Sequence, residues 1–378
     1  MTLPGEKPGG RRRLRETRRP ATHLPVLTGQ GLAVPDRIGQ QEAWDEVFSP
    51  RLGGNSLARA IFLRAGITSR HTAADPRQTD VSGWSTQQRM RHYLTPAREL
   101  GRDAVRQALK QANVRPEDVG LFVVVSCTGY TTPGLDILIS DDLGMPASVR
   151  RLLVGHMGCY AAIPGLGSAT EFVRAQGIPA VLLCVELCTL HFQPAGDPKD
   201  LQTVVSHALF SDAAAAVVIE PDAPVGLEVL DTTAATIPAS APLMTWEVTD
   251  HGFRMGLSPK VPGALAGHVE AAMASLLEPH GLQTGDVAGW AVHPGGRRIV
   301  DVVAQRLELT ADQVAASRAV LADYGNCSSP TVLMVLQRIR RREPLTDGDS
   351  VIAMAFGPGL TLCSALFRAR SGSSVAIS

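Results

Sequence analysis

The sequence of 378 residues lacks an excess of charge of either sign, since its 36 lysines and arginines equal its 36 aspartates and glutamates. A chain without net charge has no overall field that would attract nucleic acid or an anionic membrane surface. No apolar run is long enough to cross a bilayer. The segment LPVLTGQGLAVP is interrupted by proline and glycine, so it is not typical of a secretory signal. These absences favour a soluble globular protein.

Cysteine pairs of the CxxC type are also missing. Cys184 and Cys188 are four residues apart, and no further cysteine or histidine pair completes a zinc set with them. All six cysteines lie in apolar or small-residue surroundings: Cys127, Cys159, Cys184, Cys188, Cys327 and Cys363. Thiols in such surroundings are typical of a reduced compartment, so the sequence predicts a cytoplasmic protein without a metal site.

The sequence does contain an alternation of apolar strands and amphipathic helices. Near-continuous apolar runs predict strands covered on both faces of a sheet, at residues 121–128, 179–187, 213–220, 287–294, 351–358 and 360–369. Helical periodicity occupies residues 95–114, 263–281 and 297–309. Thr95 followed by Pro96 predicts an N-cap with proline at the first helical position. The sequence therefore predicts a layered α/β architecture.

The chain also shows signs of an internal duplication. A helix that leads into an apolar strand occurs at residues 95–127 and again at 263–293. The two prolines of PDAPVG, at residues 221–226, mark a boundary between the halves. The sequence thus predicts three parts: a disordered tail containing RRRLRETRR at residues 1–20, and two halves at residues 21–225 and 226–378.

Three polar residues at the ends of predicted elements suit a catalytic set. Cys159, in VGHMGCYAAIPGLGSA, precedes a predicted helix whose N-terminus would favour a thiolate. Two observations argue against this interpretation. Buried cysteines are commonly core residues, and Pro164 would kink the helix if it lay beyond the first turn. His293 ends a buried strand, and Asn326 precedes an apolar helix, where an N-cap is the simpler interpretation. Together they suit attack of a thiolate on a thioester, with histidine and asparagine donors holding the oxyanion. A nearby imidazolium would keep the cysteine ionised.

Five motifs occur in the order and spacing of one enzyme family: GCYAAIPGLGSA, ALFSDAAAA, AVHPGG, YGNCSSP and AFGPGLT. From about residue 20 to the C-terminus, the chain resembles the type III polyketide synthases, the chalcone-synthase-like family. The resemblance implies a thiolase-type αβαβα fold with two pseudo-equivalent halves, a homodimer, and CoA thioesters as substrates with no other cofactor. It implies an acyltransferase that condenses malonyl-CoA or methylmalonyl-CoA repeatedly onto an acyl-CoA starter.

The resemblance also implies roles for individual residues. Cys159 resembles the acyl-carrying nucleophile, and His293 with Asn326 resembles the pair that decarboxylates malonyl-CoA and stabilises the enolate. Phe210 matches the gatekeeper phenylalanine between the CoA tunnel and the cavity, and Met255 stands where plant members have a second one. The positions that match the cavity wall are Cys127, Cys188, His191, Trp246 and Ser328. The positions that match CoA-binding cations are Arg64, Arg59 and Arg298.

The chain departs from the plant members at several of these positions. Methionine at position 255 is flexible and suits an aliphatic starter, Trp246 replaces a common glycine, and Ala355 begins a loop that usually begins with glycine. Thr132, before Pro133, matches the residue that reaches into the partner subunit's cavity. These differences place the chain with bacterial-type members that make pyrones, resorcinols or phloroglucinols.

Two other functions stay open on the sequence alone. An initiating ketoacyl-acyl-carrier-protein synthase shares the Cys-His-Asn set and the fold, but Phe210 and the AFGPG loop argue against it. A non-catalytic thiolase-fold binding subunit is disfavoured because Cys159, His293 and Asn326 are all present.

Overall fold

The computed structural model describes residues 22–193, 200–342 and 345–372, and the tail predicted at residues 1–20 lies outside them. The strands are β1 (Pro25–Ala33), β2 (Asp36–Gly39), β3 (Ser69–Thr72), β4 (Leu121–Ser126), β5 (Arg150–Gly155), β6 (Ala180–Leu187), β7 (Asp212–Pro221), β8 (Val225–Thr236), β9 (Met244–Thr249), β10 (Gly252–Leu257), β11 (Val287–Val292), β12 (Ser350–Gly357) and β13 (Thr361–Ser371). The helices are α1 (Gln40–Ala43), α2 (Ser49–Arg51), α3 (Ser56–Leu63), α4 (Thr86–Ala112), α5 (Leu135–Leu143), α6 (Ala162–Gln176), α7 (Leu201–Leu209), α8 (Val261–Ala266), α9 (Val269–Leu277), α10 (Arg297–Arg306), α11 (Ala315–Tyr324) and α12 (Pro330–Arg342).

The strands predicted from apolar runs are confirmed as β4, β6, β7, β11, β12 and β13. Their side chains are buried along almost the whole length, as expected for strands with both faces covered. Strands β1 and β8 were not predicted, because glycines interrupt the apolar pattern of PVLTGQGLA and polar residues interrupt that of VGLEVLDTTAAT.

Two of the helix predictions need correction. Helix α4 does not begin at Thr95: it begins at Thr86, and Ser85 caps it by accepting from the amide of Gln88. Pro96 lies inside the helix, because the buried face already starts at Arg89 and its packing outweighs one lost backbone hydrogen bond. The segment predicted as one helix at residues 263–281 is two helices, α8 and α9, which are separated at residues 267–268.

Among the described residues, nine strands form one mixed sheet in the order β11-β12-β13-β8-β1-β7-β6-β4-β5. Strand β4 is parallel to β6, which is antiparallel to β7, which is antiparallel to β1. Strand β11 is parallel to β12, which is antiparallel to β13, which is antiparallel to β8. The two halves therefore repeat one pairing pattern, and β1 joins them to β8 through only two residue pairs.

Helices cover the sheet in three layers. On β4, Phe122 and Val124 belong to the same buried cluster as the apolar face of α4, whereas Val123 and Val125 pack with α6. Helices α6 and α12 contact strands of both halves and form the middle layer. Helices α9 and α10 pack on the other face of the second half. The order of layers is αβαβα, as the resemblance implies. No helix in the described ranges is both long and apolar enough to span a membrane.

This topology brings several chain ends to one region. The parallel strands β4, β5 and β6 finish at Ser126, Gly155 and Leu187, and the parallel strands β11 and β12 finish at Val292 and Gly357. The carboxyl ends of parallel strands lie at the same edge of a sheet, where α/β proteins commonly bind ligands. Helices α6 and α12 begin beside these ends.

Candidate active site

Cys159 lies in a tight turn between β5 and α6. The turn requires Gly158, whose φ is +74°, and a Cβ atom there would lie 2.9 Å from Pro358. The loop that follows β12 is therefore packed directly against the cysteine. Pro164 is the third residue of α6, so it lies in the first turn, where no intrahelical hydrogen bond is lost. The kink that the sequence suggested does not arise.

His293 follows β11, and its amide continues the ladder by donating to the carbonyl of Met354 at 2.8 Å. The side chain is 1% exposed. Neither Nδ1 nor Nε2 has a hydrogen-bond partner in the described part of the chain. Buried polar atoms in proteins are nearly always paired, so this imidazole is an unsatisfied polar group at the wall of a cavity.

Asn326 follows α11 and is held from both sides. Its Oδ1 accepts from the amide of Ser328 at 2.8 Å, and its Nδ2 donates to the carbonyl of Gly295 at 3.4 Å. This fixes which end of the side chain carries the amide hydrogens. The side chain also acts to lower the pKa of the Cys159 thiol, against the larger effect of burial. The structure thus brings the predicted cysteine, histidine and asparagine together from three separate segments.

All three side chains line one cavity of about 360 Å³. Its wall is mostly apolar and comes from α3, α7, β10, α8 and α10; the apolar residues include Ile61, Leu201, Val205, Leu257 and Val261. Three arginines also line it: Arg64, Arg297 and Arg298. Arg59, the other predicted CoA cation, is exposed on α3 and does not line this cavity.

Two smaller cavities of about 20 Å³ each lie beyond the thiol. The first is lined by predicted wall residues, namely Cys127, Cys188, Trp246 and Ser328, together with Cys159. The second is lined by His191, Cys188 and Trp246. Phe210 and Met255 line both of them and the large cavity as well. These two side chains therefore stand between the large cavity and the small ones.

The wall between these cavities is held by hydrogen bonds. Trp246 Nε1 donates to the carbonyl of Cys127 at 2.9 Å. Nδ1 of His191 accepts from the amide of Phe253 at 2.9 Å, so Nε2 carries the proton and donates to the carbonyl of Thr128 at 2.6 Å. Burial lowers the pKa of His191 to about 4, which keeps it neutral.

Burial also governs the charge of the central residues. It raises the pKa of the Cys159 thiol to about 11, although hydrogen bonds from Ser328 and Asn326 act in the opposite direction. It lowers the pKa of His293 to about 3. Desolvation therefore acts against both charges of the thiolate–imidazolium pair that the sequence suggests.

Glu186, at the end of β6, is a buried acid that the sequence analysis missed. Its carboxylate accepts from the amide of Cys127 at 2.9 Å and from the hydroxyls of Thr128 and Ser329 at 2.7 Å. Burial raises its pKa despite these bonds. A carboxylate inside the apolar run AVLLCVEL was the available signal, because a buried charge must be paired or hydrogen bonded.

Thr132, like Arg59, is a predicted residue that the structure does not bring to the site. It is exposed, precedes a cis proline, and lines none of the three cavities described above. In the described ranges, no three His, Cys, Asp or Glu side chains are grouped so as to hold a metal ion.

The sequence matches two family models in the same order as the two halves. Residues 59–223 match the N-terminal domain of chalcone and stilbene synthases, and residues 228–371 match the C-terminal domain. The chain therefore belongs to the chalcone and stilbene synthase family, and it is a type III polyketide synthase, an acyltransferase that catalyses decarboxylating condensation.

Named relatives agree with this assignment. The chain is 31% identical over 364 residues to the alpha-pyrone synthesis polyketide synthase-like Pks18 of Mycobacterium tuberculosis, with 92% of each chain covered. It is 30% identical over 359 residues to the 3,5-dihydroxyphenylacetyl-CoA synthase of Streptomyces toyocaensis, covering 92% of this chain and 90% of that one. The crystal structure of PKS-I from the brown alga Ectocarpus siliculosus superposes with a TM-score of 0.85 at 31% identity, covering 93% of this chain and all of that one.

Proposed function

We propose that Cys159 carries the growing acyl chain, and that His293 and Asn326 bind the thioester oxygen of the substrate. The observation that carries this proposal is the buried imidazole of His293: neither nitrogen has a partner among the residues that the structure describes, and the side chain lines the same cavity as the thiol. A thioester oxygen placed there would receive hydrogen bonds from the imidazole and from the amide of Asn326.

Transfer of the starter acyl group to Cys159 requires that the thiol lose its proton. We propose that the thiol proton of Cys159 leaves as sulfur attacks the starter thioester, and that a ring nitrogen of His293 accepts that proton. The carbon–sulfur bond to CoA breaks, and His293 returns the proton to the departing CoA sulfur. The products are an acyl thioester on Cys159 and free CoA thiol.

Extension uses the same donors in a second role. Loss of CO₂ from malonyl-CoA leaves an electron pair that moves onto the thioester oxygen, where two neutral donors stabilise the enolate. The enolate carbon then attacks the acyl group on Cys159, and the cysteine sulfur leaves. We propose that no cofactor beyond the CoA thioesters takes part.

We further propose that Arg64, Arg297 and Arg298 receive the phosphates of CoA. All three line the large cavity, and Arg298 makes no hydrogen bond or ion pair in the described part of the chain. Arg297 has only a long contact, 3.9 Å, with Asp301. Both begin α10, whose N-terminal dipole also favours an anion.

The starter is proposed to be an aliphatic acyl-CoA, extended two or three times with malonyl-CoA or methylmalonyl-CoA to a pyrone or resorcinol. The small spaces beyond Phe210 favour a slender chain, and Met255 can change its rotamer to admit one. A relative named for alpha-pyrone synthesis supports the product class. The six free thiols favour a cytoplasmic location.

A panel of acyl-CoA starters of increasing length, with products identified by mass, tests this proposal. Each added methylene that is buried contributes about 0.8 kcal/mol, so a clear optimum at one aliphatic length is expected. Met255→Phe is the matched variant and should move the optimum to shorter chains. Products from aromatic starters alone would contradict the aliphatic proposal, and products from malonyl-CoA alone would indicate a phloroglucinol-type or naphthalene-type synthase.

We also propose a homodimer formed through β5. Among the described strands it ends the sheet and pairs with β4 alone, and it exposes Leu152 and Leu153 at 38% and 49%. An open edge strand that exposes two leucines can pair with the same strand of a second copy. The neighbouring turn carries Thr132, which would then approach the partner subunit.

Leu153→Arg tests this dimer, because it places a charge in the proposed interface. Light scattering after size exclusion should show a dimer for the wild-type protein and a monomer for the variant. Val225→Arg, at an exposed position on β8, is the control and should stay dimeric. A monomeric wild-type protein would refute the interface.

A further inference from the structure

Arg70, on β3, is a buried arginine whose hydrogen bonds, in the described ranges, all go to uncharged oxygens. Only 2% of its surface is exposed. Its guanidinium donates to Gln40 Oε1 and to three main-chain carbonyls. A buried cation is costly unless its environment compensates it, so the carbonyls that surround Arg70 must be held closely.

These carbonyls lie at the end of α7. The guanidinium lies 2.5 Å from the oxygen of His207, 2.6 Å from that of Ala208 and 3.2 Å from that of Phe210. The last carbonyls of a helix have no partner within the helix, and the negative end of the helix dipole favours a cation. Arg70 is therefore the C-terminal cap of α7, and it reaches the main chain of Phe210 itself.

The one carbonyl in this run that Arg70 does not bind is bound by Asn326. The amide of Asn326 donates to the carbonyl of Leu209 at 2.9 Å, and the amide of Ser211 donates to the carbonyl of Asn326 at 2.9 Å. Phe210 and Asn326 thus form a β-bridge. A displacement of the end of α7 would move both residues.

We propose that Arg70 is a positioning residue that holds Phe210 between the cavities. Through the β-bridge between Phe210 and Asn326, it also holds the side-chain amide of Asn326 toward the substrate. The inference rests on the roles proposed above for Phe210 and Asn326. Arg70 touches neither substrate nor the reacting atoms, and it acts through the main chain of the segment it caps.

The guanidinium keeps its charge in this setting. Burial lowers the pKa of Arg70 to about 9, and the charge of Asp212 acts in the opposite direction. Arg70 is therefore protonated at neutral pH and can donate to all its partners at once. Lysine would keep the charge but cannot span the carbonyls of three residues, because its ammonium is a compact point charge.

The test compares Arg70→Lys with the wild-type protein on two starters, hexanoyl-CoA and decanoyl-CoA. We expect the ratio of their kcat/KM values to change by about threefold or more, and kcat for malonyl-CoA decarboxylation to fall while its KM changes less. In a Phe210→Ala background, Arg70→Lys should leave the starter ratio unchanged, because no gatekeeper is left to position. Two results overturn the proposal. Arg70→Lys leaves the starter ratio unchanged, or it changes that ratio equally in the wild-type and Phe210→Ala backgrounds.

Arg340→Lys is the matched control. Arg340 is partly buried. It also donates to uncharged oxygens, those of the Gln30 side chain and of the Thr28 carbonyl, but it lies near the far end of α12. Its replacement should lower the melting temperature without changing the starter ratio. A similar ratio change in Arg340→Lys would show that general destabilisation explains the effect, which also overturns the proposal.

Gln40→Met keeps the test decisive if Arg70→Lys does not fold. Gln40 Oε1 accepts two hydrogen bonds from Arg70 and so orients its guanidinium group. Its loss should shift the starter ratio in the same direction by a smaller factor. A wild-type ratio in a folded Gln40→Met protein overturns the proposal.

Hydrogen exchange of the main chain separates this inference from the proposed function, because it needs no turnover. In Arg70→Lys or Gln40→Met, the amides of Phe210, Ser211 and Asn326 should exchange faster, whereas in Arg340→Lys they should not. Unchanged exchange at these amides overturns the role of Arg70. An enzyme that uses no acyl-CoA starter, but shows the faster exchange, would instead refute the proposed function alone.

Discussion

The two halves of the chain have the same strand pairing, but the buried polar side chains at their strand ends differ in hydrogen bonding. In the first half, the carboxylate of Glu186 at the end of β6 is fully engaged by Cys127, Thr128 and Ser329. In the second half, His293 at the end of β11 has no partner for either nitrogen within the described residues. Equal topology therefore does not mean equal chemistry.

This difference separates a supporting group from a binding group. Glu186 fixes the main chain and hydroxyls around the turn at Cys127, and both of its carboxylate oxygens accept hydrogen bonds from the protein. His293 is also buried, but it has no partner in the described ranges, and we propose that a ligand supplies one. In our account, the first half supplies the acyl carrier Cys159 and the second half supplies the donors His293 and Asn326.

The largest expected effect comes from removing the acyl carrier. Cys159→Ala should abolish polyketide formation, because no other thiol can accept the starter in the correct place, while the small volume change leaves the fold intact. Mass spectrometry after incubation with a starter acyl-CoA should find the acyl group on the Cys159 peptide of the wild-type protein. An adduct on Cys127 or Cys188, which line the adjoining small cavity, would contradict the assignment.

The donors of the second half should have the next largest effect. Loss of one oxyanion donor typically costs about 3 kcal/mol, a hundredfold or more in rate, so His293→Ala and Asn326→Ala should each slow decarboxylation of malonyl-CoA by about that factor. His293→Gln keeps an N–H donor and should retain more decarboxylation than His293→Ala. Equal rates in the two His293 variants would show that the imidazole is not a donor.

The two buried groups should also differ in how stability depends on pH. The pKa of His293 is lowered from 6.5 to about 3, so the unfolded chain takes up its proton first and the folded state loses stability as the pH falls from 6.5 toward 3. The free energy of unfolding of His293→Gln, relative to that of the wild-type protein, should therefore rise by about 1.4 kcal/mol for each pH unit as the pH falls through that interval.

Glu186→Gln should show the opposite trend. The pKa of Glu186 is raised above 4.5, so the unfolded chain ionises first and the wild-type protein loses stability as the pH rises from 4.5 toward the folded-state value. Urea unfolding between pH 4 and 7.5 measures both variants. Parallel curves for His293→Gln, Glu186→Gln and the wild-type protein would show that neither group is desolvated as described.

The elements and residues that the sequence predicted are those with local signals. The buried strands were readable because their apolar runs are almost uninterrupted, and Cys159, His293 and Asn326 were readable because each stands in a short motif at an element end. The large cavity gathers these three with Phe210 and Met255.

What the sequence did not reveal depends on distant contacts. Arg70 and Glu186 are charged residues whose partners lie far away in the chain, so no local pattern marks them as buried. The start of α4 was missed because its buried face begins with Arg89, whose guanidinium donates to main-chain carbonyls, including that of Phe192. The desolvation that opposes ionisation of Cys159 is set by the packing around the thiol and not by its motif.

Release of CO₂ from malonyl-CoA by the Cys159→Ala protein, without any starter, tests the division of work between the halves most directly. We expect CO₂ release to continue in this variant, because His293 and Asn326 are intact, and to fall by about a hundredfold when His293→Ala is added. If Cys159→Ala alone abolished CO₂ release in a folded protein, the thiol would be needed for decarboxylation, and the separation of carrier and donors would be wrong.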